Sequence, residues 1–163
     1  MRMTPSPKLI KLLKVWEGYC EMAQPDSGGV PTIGYGHALT LSERRSGKIR
    51  IDGVMFDYRR GLTPAQAHVL LFYEVSRFAE VVSGLVNVPL TQDQFDALTS
   101  FCYNVGAHAF AESTLLKRLN QSRYVAVPVQ LRRWKYDNGE VVQGLINRRE
   151  LEIALWQGKV SDE

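Results

Sequence analysis

Residues 16–37, WEGYCEMAQPDSGGVPTIGYGH, carry a helix end, a loop and a hairpin in immediate succession, and the reading of this stretch decides the fold. Upstream of it, Ser6-Pro7 is a helix start, with a hydroxyl to cap and a proline where no N–H is needed. Leu9, Leu12, Leu13 and Trp16 then recur at helical spacing, with Lys8, Lys11 and Lys14 off that stripe. Gly18 stops the helix and leaves Glu17 on its last turn. A carboxylate suits the negative end of a helix dipole poorly. The unfavourable position hints at function, although many terminal glutamates are only solvated. Downstream, Gly28-Gly29, Gly34, Gly36, Gly47 and Gly53, set among β-branched residues, suit short strands and tight turns. Ile49-Arg50-Ile51 and Val54-Met55-Phe56 flank Asp52-Gly53, a two-residue hairpin signal. A small antiparallel sheet lobe over about residues 19–61 is the expectation.

Beyond it the chain turns helical. Thr63-Pro64-Ala65-Gln66 is both a capping box and a proline start, which predicts a connecting helix over about 63–82. Thr91-Gln92-Asp93-Gln94 repeats the box, and Phe95, Leu98, Phe101, Cys102 and Val105 form the next apolar stripe. Ser113 is placed to cap a short helix through Leu119. Another helix is expected from about Tyr124 to Trp134 with Pro128 in its first turn, then a turn at Asn138-Gly139, and a last helix from about Leu145 to Trp156 ended by Gly158. The order is helix, small sheet, helical lobe, without parallel βαβ alternation: an α+β class. Residues 1–163 read as a single domain, in which the helical lobe over about 83–163 has the N-terminal helix packed on it. A cleft between two such lobes is a reasonable seat for a long substrate.

Composition sets the outer limits. With 163 residues and 45% apolar content the chain can bury a core. A formal charge of +3 is compatible with a polyanionic partner such as cell-wall polymer, but the basic residues are scattered, and no basic stripe interleaved with aromatics points to nucleic acid. Cys20 and Cys102 lie 82 positions apart, match no metal-binding spacing or disulfide framework, and read as small buried side chains. No His-x-x-His, Cys-x-x-Cys or phosphate-cradling glycine loop is present, so no metal and no cofactor are expected. The polar start, Met1 to Pro7, and the lysines that interrupt the first apolar run read as neither a signal peptide nor a membrane span. Synthesis in the cytoplasm is the corresponding expectation.

The densest chemical cluster is Glu17-Gly18, Asp26-Ser27-Gly28-Gly29 and Thr32-Ile33-Gly34-Tyr35-Gly36-His37. Eight residues separate Glu17 from Asp26, and five separate Asp26 from Thr32. A helix end followed by a hairpin can bring two such carboxylates face to face. Glycoside hydrolysis uses such a pair: one carboxyl donates to the leaving oxygen, while the other, ionised, directs water or stabilises the cation-like sugar. A nearby threonine hydroxyl could hold that water. Spacing alone does not separate this from carboxylates that merely sit at turns, since Asp26-Ser27-Gly28 is also an ordinary Asx turn. His37, at a strand end, reads first as a structural residue near the site that bonds a local partner.

The cluster resembles the signature of the phage-type lysozymes, the muramidases of glycoside hydrolase family 24, whose catalytic Glu, Asp and Thr show the same gaps. The likeness continues through Leu62-Thr63-Pro64-Ala65-Gln66-Ala67, Pro89-Leu90-Thr91-Gln92-Asp93-Gln94-Phe95, Asn104-Val105-Gly106, Ser113-Thr114-Leu115-Leu116, Trp134, Gly144-Leu145 and Arg148-Arg149. It implies a lysozyme-like fold and hydrolysis, with inversion, of the bond between N-acetylmuramic acid and N-acetylglucosamine. Glu17 would be the general acid, Asp26 the water-positioning carboxylate and Thr32 its helper. Tyr103, Asn104 and Ser113 would contact sugars. Asn104-Val105-Gly106 can equally close a helix, and Ser113 can equally cap one. The partner would be the glycan strands of peptidoglycan, met by a monomer that depends on a separate pore-forming protein or on lysis for access. Two rivals use the same groove: a lytic transglycosylase, which has no water to position and so no need of Asp26 and Thr32, and a non-catalytic wall-binding part of a virion. Glu21 and Gln24 stand where many relatives carry an aliphatic and an aromatic residue, and the longer stretch from Ala38 to Gly61 predicts an extra ribbon.

Overall fold

The structure is a computed structural model that describes residues 2–162, and the chain divides into two compact units, Ile10–Glu74 and Met1–Leu9 with Val75–Glu163. The division runs through two helices. Helix α1 (Pro7–Glu17) and helix α3 (Pro64–Leu85) each begin in one unit and end in the other. For α1 the reason is visible at its C-terminal end, where Glu17 lies close to Gly36 of the sheet-bearing unit.

In the unit Ile10–Glu74, β1 (Cys20–Pro25), β2 (Pro31–Gly34) and β3 (His37–Ala38) form an antiparallel sheet in that order. Gln24 is registered against Thr32 and Ile33 against His37, with an irregularity in β1 between Cys20 and Gln24. A second, separate ribbon pairs β4 (Lys48–Ile51) with β5 (Val54–Asp57). Its turn residues Asp52 and Gly53 both have positive φ, 50° and 78°, the geometry that makes Asp-Gly a hairpin signal. This is the extra ribbon expected from the length of the stretch from Ala38 to Gly61. Between the two sheets lies a helix the sequence reading passed over, α2 (Leu41–Ser46), started by a complete capping box of Thr40 and Glu43. It has no buried residue, so it leaves no apolar period to detect. After a single 3-10 turn, Tyr58–Arg60, the chain enters α3, whose capping box joins Thr63 and Gln66 as expected. Ile33, Leu39, Ile49, Ile51, Tyr58, Leu62 and Leu70 make the core of this unit, with Phe56 and Val69 packed on it.

The other unit is built on α4 (Gln92–Val105) against α8 (Gln143–Trp156), with α5 (Ala107–Ala111), α6 (Thr114–Asn120) and α7 (Ala126–Arg132) around them. The Thr91 box starts α4. The expected stripe of α4 is in fact a helix buried on every side from Phe95 to Cys102, including Asp96, Thr99 and Ser100. Polar residues inside need partners. Asp96 accepts from the backbone N–H and hydroxyl of Ser6 and from the Gln92 amide, and Ser100 donates to Glu152. Burial pushes the Asp96 carboxyl up, against the pull of its Ser6 and Gln92 donors. Asn138 and Gly139 turn the chain as expected, inside a small ribbon of β6 (Tyr136–Asp137) and β7 (Glu140–Val141). Among the described residues no helix is long and apolar enough to cross a membrane.

Candidate active site

Glu17 is the last residue of α1, which ends on Gly18 in the left-handed conformation, φ 69°, with the Gly18 N–H donated to the Lys14 carbonyl at 3.0 Å. What seats its side chain is the turn between β2 and β3. A Cβ added to Gly36 would stand 2.7 Å from Glu17 Oε2, 3.1 Å from its Cβ and 3.2 Å from its Cδ. The bare backbone of residue 36 thus comes close to the carboxyl group. Gly36 has φ 76°, so absence of a side chain is required on two counts. Beside it, the Tyr35 ring lies 5.4 Å from that of Tyr19, and Lys14 Nζ stands 5.3 Å from the Tyr35 ring centre. The Tyr19 hydroxyl donates to the Leu62 carbonyl at 2.6 Å. Burial of that hydroxyl pushes Tyr19 up from its ordinary value, helped by Glu21.

Asp26 follows β1 directly. Its Oδ1 accepts two backbone N–H groups, from Gly28 and Val30, each at 2.8 Å, and its own N–H is donated to the Val30 carbonyl. The loop from Asp26 to Val30 is thereby closed around one carboxylate oxygen, the Asx geometry the sequence suggested. Asp26 remains solvent-exposed. No bond to its Oδ2 occurs among the described residues. Thr32 sits in the central strand opposite Gln24, and its hydroxyl donates to the Gln24 carbonyl at 3.2 Å. Since that hydroxyl's hydrogen is engaged, its remaining capacity is that of an acceptor.

His37 is held from both sides. Nδ1 bonds the Glu74 carboxylate of α3, and Nε2 lies 2.8 Å from Glu43 Oε1 of α2. Glu43 Oε1 also accepts the Thr40 N–H of the α2 capping box. Burial works against the charged ring, but the two carboxylates outweigh it and hold His37 at about 9. The local partner expected of His37 is therefore two partners. Glu43 is the contact the sequence could have shown, through the Thr40-x-x-Glu43 box; Glu74, 37 positions away, gives no local signal.

The remaining expected site residues lie in the other unit. Tyr103 is half-buried, its ring edge-on to Phe78 at 5.5 Å. Asn104 is exposed and accepts from Arg149 Nη2 through Oδ1 at 2.6 Å. Ser113 is only 6% exposed. Its hydroxyl donates to the Phe110 carbonyl at 2.7 Å and accepts the Leu116 N–H at 3.1 Å. The one hydrogen a serine can offer is consumed at the start of α6, so its helix-capping role is the one on view. Of the cysteines, Cys102 is fully buried, and burial pushes its thiol up to about 12, whereas Cys20 is half-exposed instead of buried. It is registered against Gly34 at the start of β1. Among the described residues no three His, Cys, Asp or Glu side chains converge as a metal site would require.

A carboxyl seated at a helix end, followed within one hairpin by an oriented carboxylate and an acceptor hydroxyl, has the group types a glycoside hydrolase uses. The chain belongs to the phage lysozyme family, whose family model matches residues 14–152. It is 38% identical over 152 residues to the endolysin of Bacillus phage PZA, an alignment that takes in 90% of this chain and 52% of the relative, so the chain spans about half the length of that protein. With the endolysin of Salmonella phage P22 it shares 37% identity over 147 residues, 90% of this chain and 93% of the relative. Among solved structures, the endolysin from Escherichia coli O157:H7 phage FAHEc1 matches with a TM-score of 0.81 at 34% identity, covering 100% of this chain and 99% of the other.

Proposed function

We propose that this chain hydrolyses the β-1,4 bond between N-acetylmuramic acid and N-acetylglucosamine in peptidoglycan, with inversion at the anomeric carbon. The seating of Glu17 against Gly36 carries the reading, because it holds a carboxyl at one spot directly before the hairpin that bears Asp26 and Thr32. Glu17 is the general acid and gives its proton to the bridging oxygen as the glycosidic bond breaks. Inversion places the attacking water on the opposite face of the sugar, with the two carboxyl groups about 6.5–9.5 Å apart. Asp26 Oδ2 and the Thr32 hydroxyl, its hydrogen already given to Gln24, both serve as acceptors. A water that gives one hydrogen to each presents a lone pair to the anomeric carbon. Asp26 takes the proton as the new bond forms and afterwards releases it to solvent, from which Glu17 recovers its own.

Tyr103 and Asn104 contact the glycan, while Ser113, its hydroxyl spent in α6, does not. The enzyme works as a monomer, is made in the cytoplasm, and reaches the wall through lysis or a separate pore-forming protein; the name endolysin carried by its relatives supports that order of events. Reducing-end release from purified cell wall tests the assignment. Glu17→Gln lowers it by about 10²–10⁴-fold, the scale of a lost general acid, and wild-type rates in that variant refute the reading. Mass spectrometry of the products finds ends with one water added; anhydro ends would make the chain a transglycosylase.

A further inference from the structure

Inside the helical unit a chain of buried polar groups ends at a single exposed side chain. Glu152 of α8 is fully buried, and its Oε2 accepts the Ser100 hydroxyl of α4 at 2.6 Å. Arg149, one helical turn before it and 1% exposed, lies with Nε 2.7 Å from Glu152 Oε1 and Nη2 3.3 Å from Oε2. Its guanidinium stacks over the Phe101 ring at 5.1 Å, and Nη1 points to the Trp134 carbonyl at 3.5 Å. Burial disfavours charge on both partners, lowering Arg149 and raising Glu152, and each opposes the shift of the other. The guanidinium is thus fixed by carboxylate, ring and carbonyl. Its remaining short bond, 2.6 Å from Nη2, goes to Oδ1 of Asn104 in the last turn of α4.

A guanidinium has donors and no acceptor. The atom of Asn104 that faces it must therefore be the oxygen, and the amide NH2 must face the other way. Asn104 is exposed, so the NH2 is presented at the surface as a donor whose orientation is set by the buried Arg149 and Glu152 behind it. We propose that Arg149 is a positioning residue for substrate binding: anchored by Glu152, it locks the Asn104 amide with its NH2 outward, to donate to the acetamido carbonyl of a bound N-acetylated sugar. This rests on the glycan-hydrolase reading and adds to it the chemical group recognised. A pure donor pairs with an acetamido oxygen, which is a pure acceptor. A glucan without acetamido groups lacks that oxygen. Neither Arg149 nor Glu152 touches the sugar.

The test measures turnover of soluble peptidoglycan glycan fragments by the wild type, Asn104→Asp and Arg149→Lys side by side, with melting temperatures. Asn104→Asp keeps an oxygen for Arg149 and gains a charge opposite it, so it folds and melts no lower than the wild type, but it has no outward donor. Its KM rises about tenfold with kcat changed less than about twofold, the pattern of lost uniform binding. Arg149→Lys, whose single ammonium cannot span Glu152 and Asn104 in the same fork, shows the same rise in KM. A merely structural role would lower the melting temperature without this KM and kcat split. Active wild type with an unchanged KM in Asn104→Asp overturns the positioning role and leaves the hydrolase reading intact. No turnover by the wild type overturns the hydrolase reading itself, and the positioning role with it.

Discussion

Gly36 and Glu17 are in contact through the absence of a side chain: the position a Gly36 Cβ would take is 2.7 Å from Glu17 Oε2. Atoms do not come that close, so a methyl group there has to displace the carboxyl. The left-handed φ of 76° adds a cost of about 1–2 kcal/mol for any L-residue. Gly36→Ala is expected to lose stability by at least that amount in urea unfolding. Because Glu17 moves, reducing-end release falls at least about tenfold, on the scale at which small misplacements of a reacting group are felt.

The ring of His37 gives the protein a signed dependence on alkali. Its pKa is raised from 6.5 to about 9 in the folded chain, against burial, by Glu74 and Glu43. A group raised on folding contributes its full stabilisation below the unfolded value and loses it as pH climbs through the folded one. The contribution, on the order of 3 kcal/mol for a shift of this size, is therefore complete below pH 6.5 and gone above about pH 9. Urea unfolding of the wild type from pH 6 to 10 shows this decline. His37→Gln, less stable at pH 6, shows a flatter profile, and parallel profiles would contradict the linkage.

Asp26 closes its loop through Oδ1, and in the proposed mechanism it does its chemistry through Oδ2. Asparagine retains an oxygen for the Gly28 and Val30 N–H groups, so Asp26→Asn is expected to melt within a few degrees of the wild type while activity falls about 10²-fold or more, as expected for a lost base. Asp26→Ala removes both duties and lowers the melting temperature as well. Calorimetry alongside turnover distinguishes the two variants.

Glu152 is fully buried against Arg149. Removing one member of a buried pair leaves the other charge without compensation, at a cost of about 3–5 kcal/mol. Glu152→Leu is expected to lose that much in denaturant, and the double variant Glu152→Leu with Arg149→Met to regain a large part of it.

The elements that announced themselves in the sequence were those with strong local chemistry. The Thr63 and Thr91 capping boxes and the Asp52-Gly53 turn fall where expected because each is decided within four residues. Helix α2 carries the same capping box, but a six-residue polar helix has no buried face and so leaves no apolar periodicity in the sequence. The all-round burial of α4 is not legible as more than a stripe, because Asp96 and Ser100 look like solvent-facing residues until their distant partners Ser6 and Glu152 are seen. In the hairpin region, the Glu17, Asp26 and Thr32 pattern was legible as spacing, but the glycine beside Glu17 and the distant partners of His37 and Asn104 were not. Gly36 reads as a turn residue, the Glu74 clasp on His37 spans 37 positions, and the Arg149 bond to Asn104 spans 45. Long-range polar contacts leave no period in a sequence.

The unequal settings of the two cysteines make the protein selectively labelable. Cys102 is sealed in the helical core with its thiol held near 12, while Cys20 is half-exposed three positions past Glu17. Only a thiolate attacks a maleimide at useful rates, so a fluorophore added to the native protein attaches at a single address. Placed at Cys20, it would report glycan arrival at Glu17 as a change in emission, with no engineered residue required.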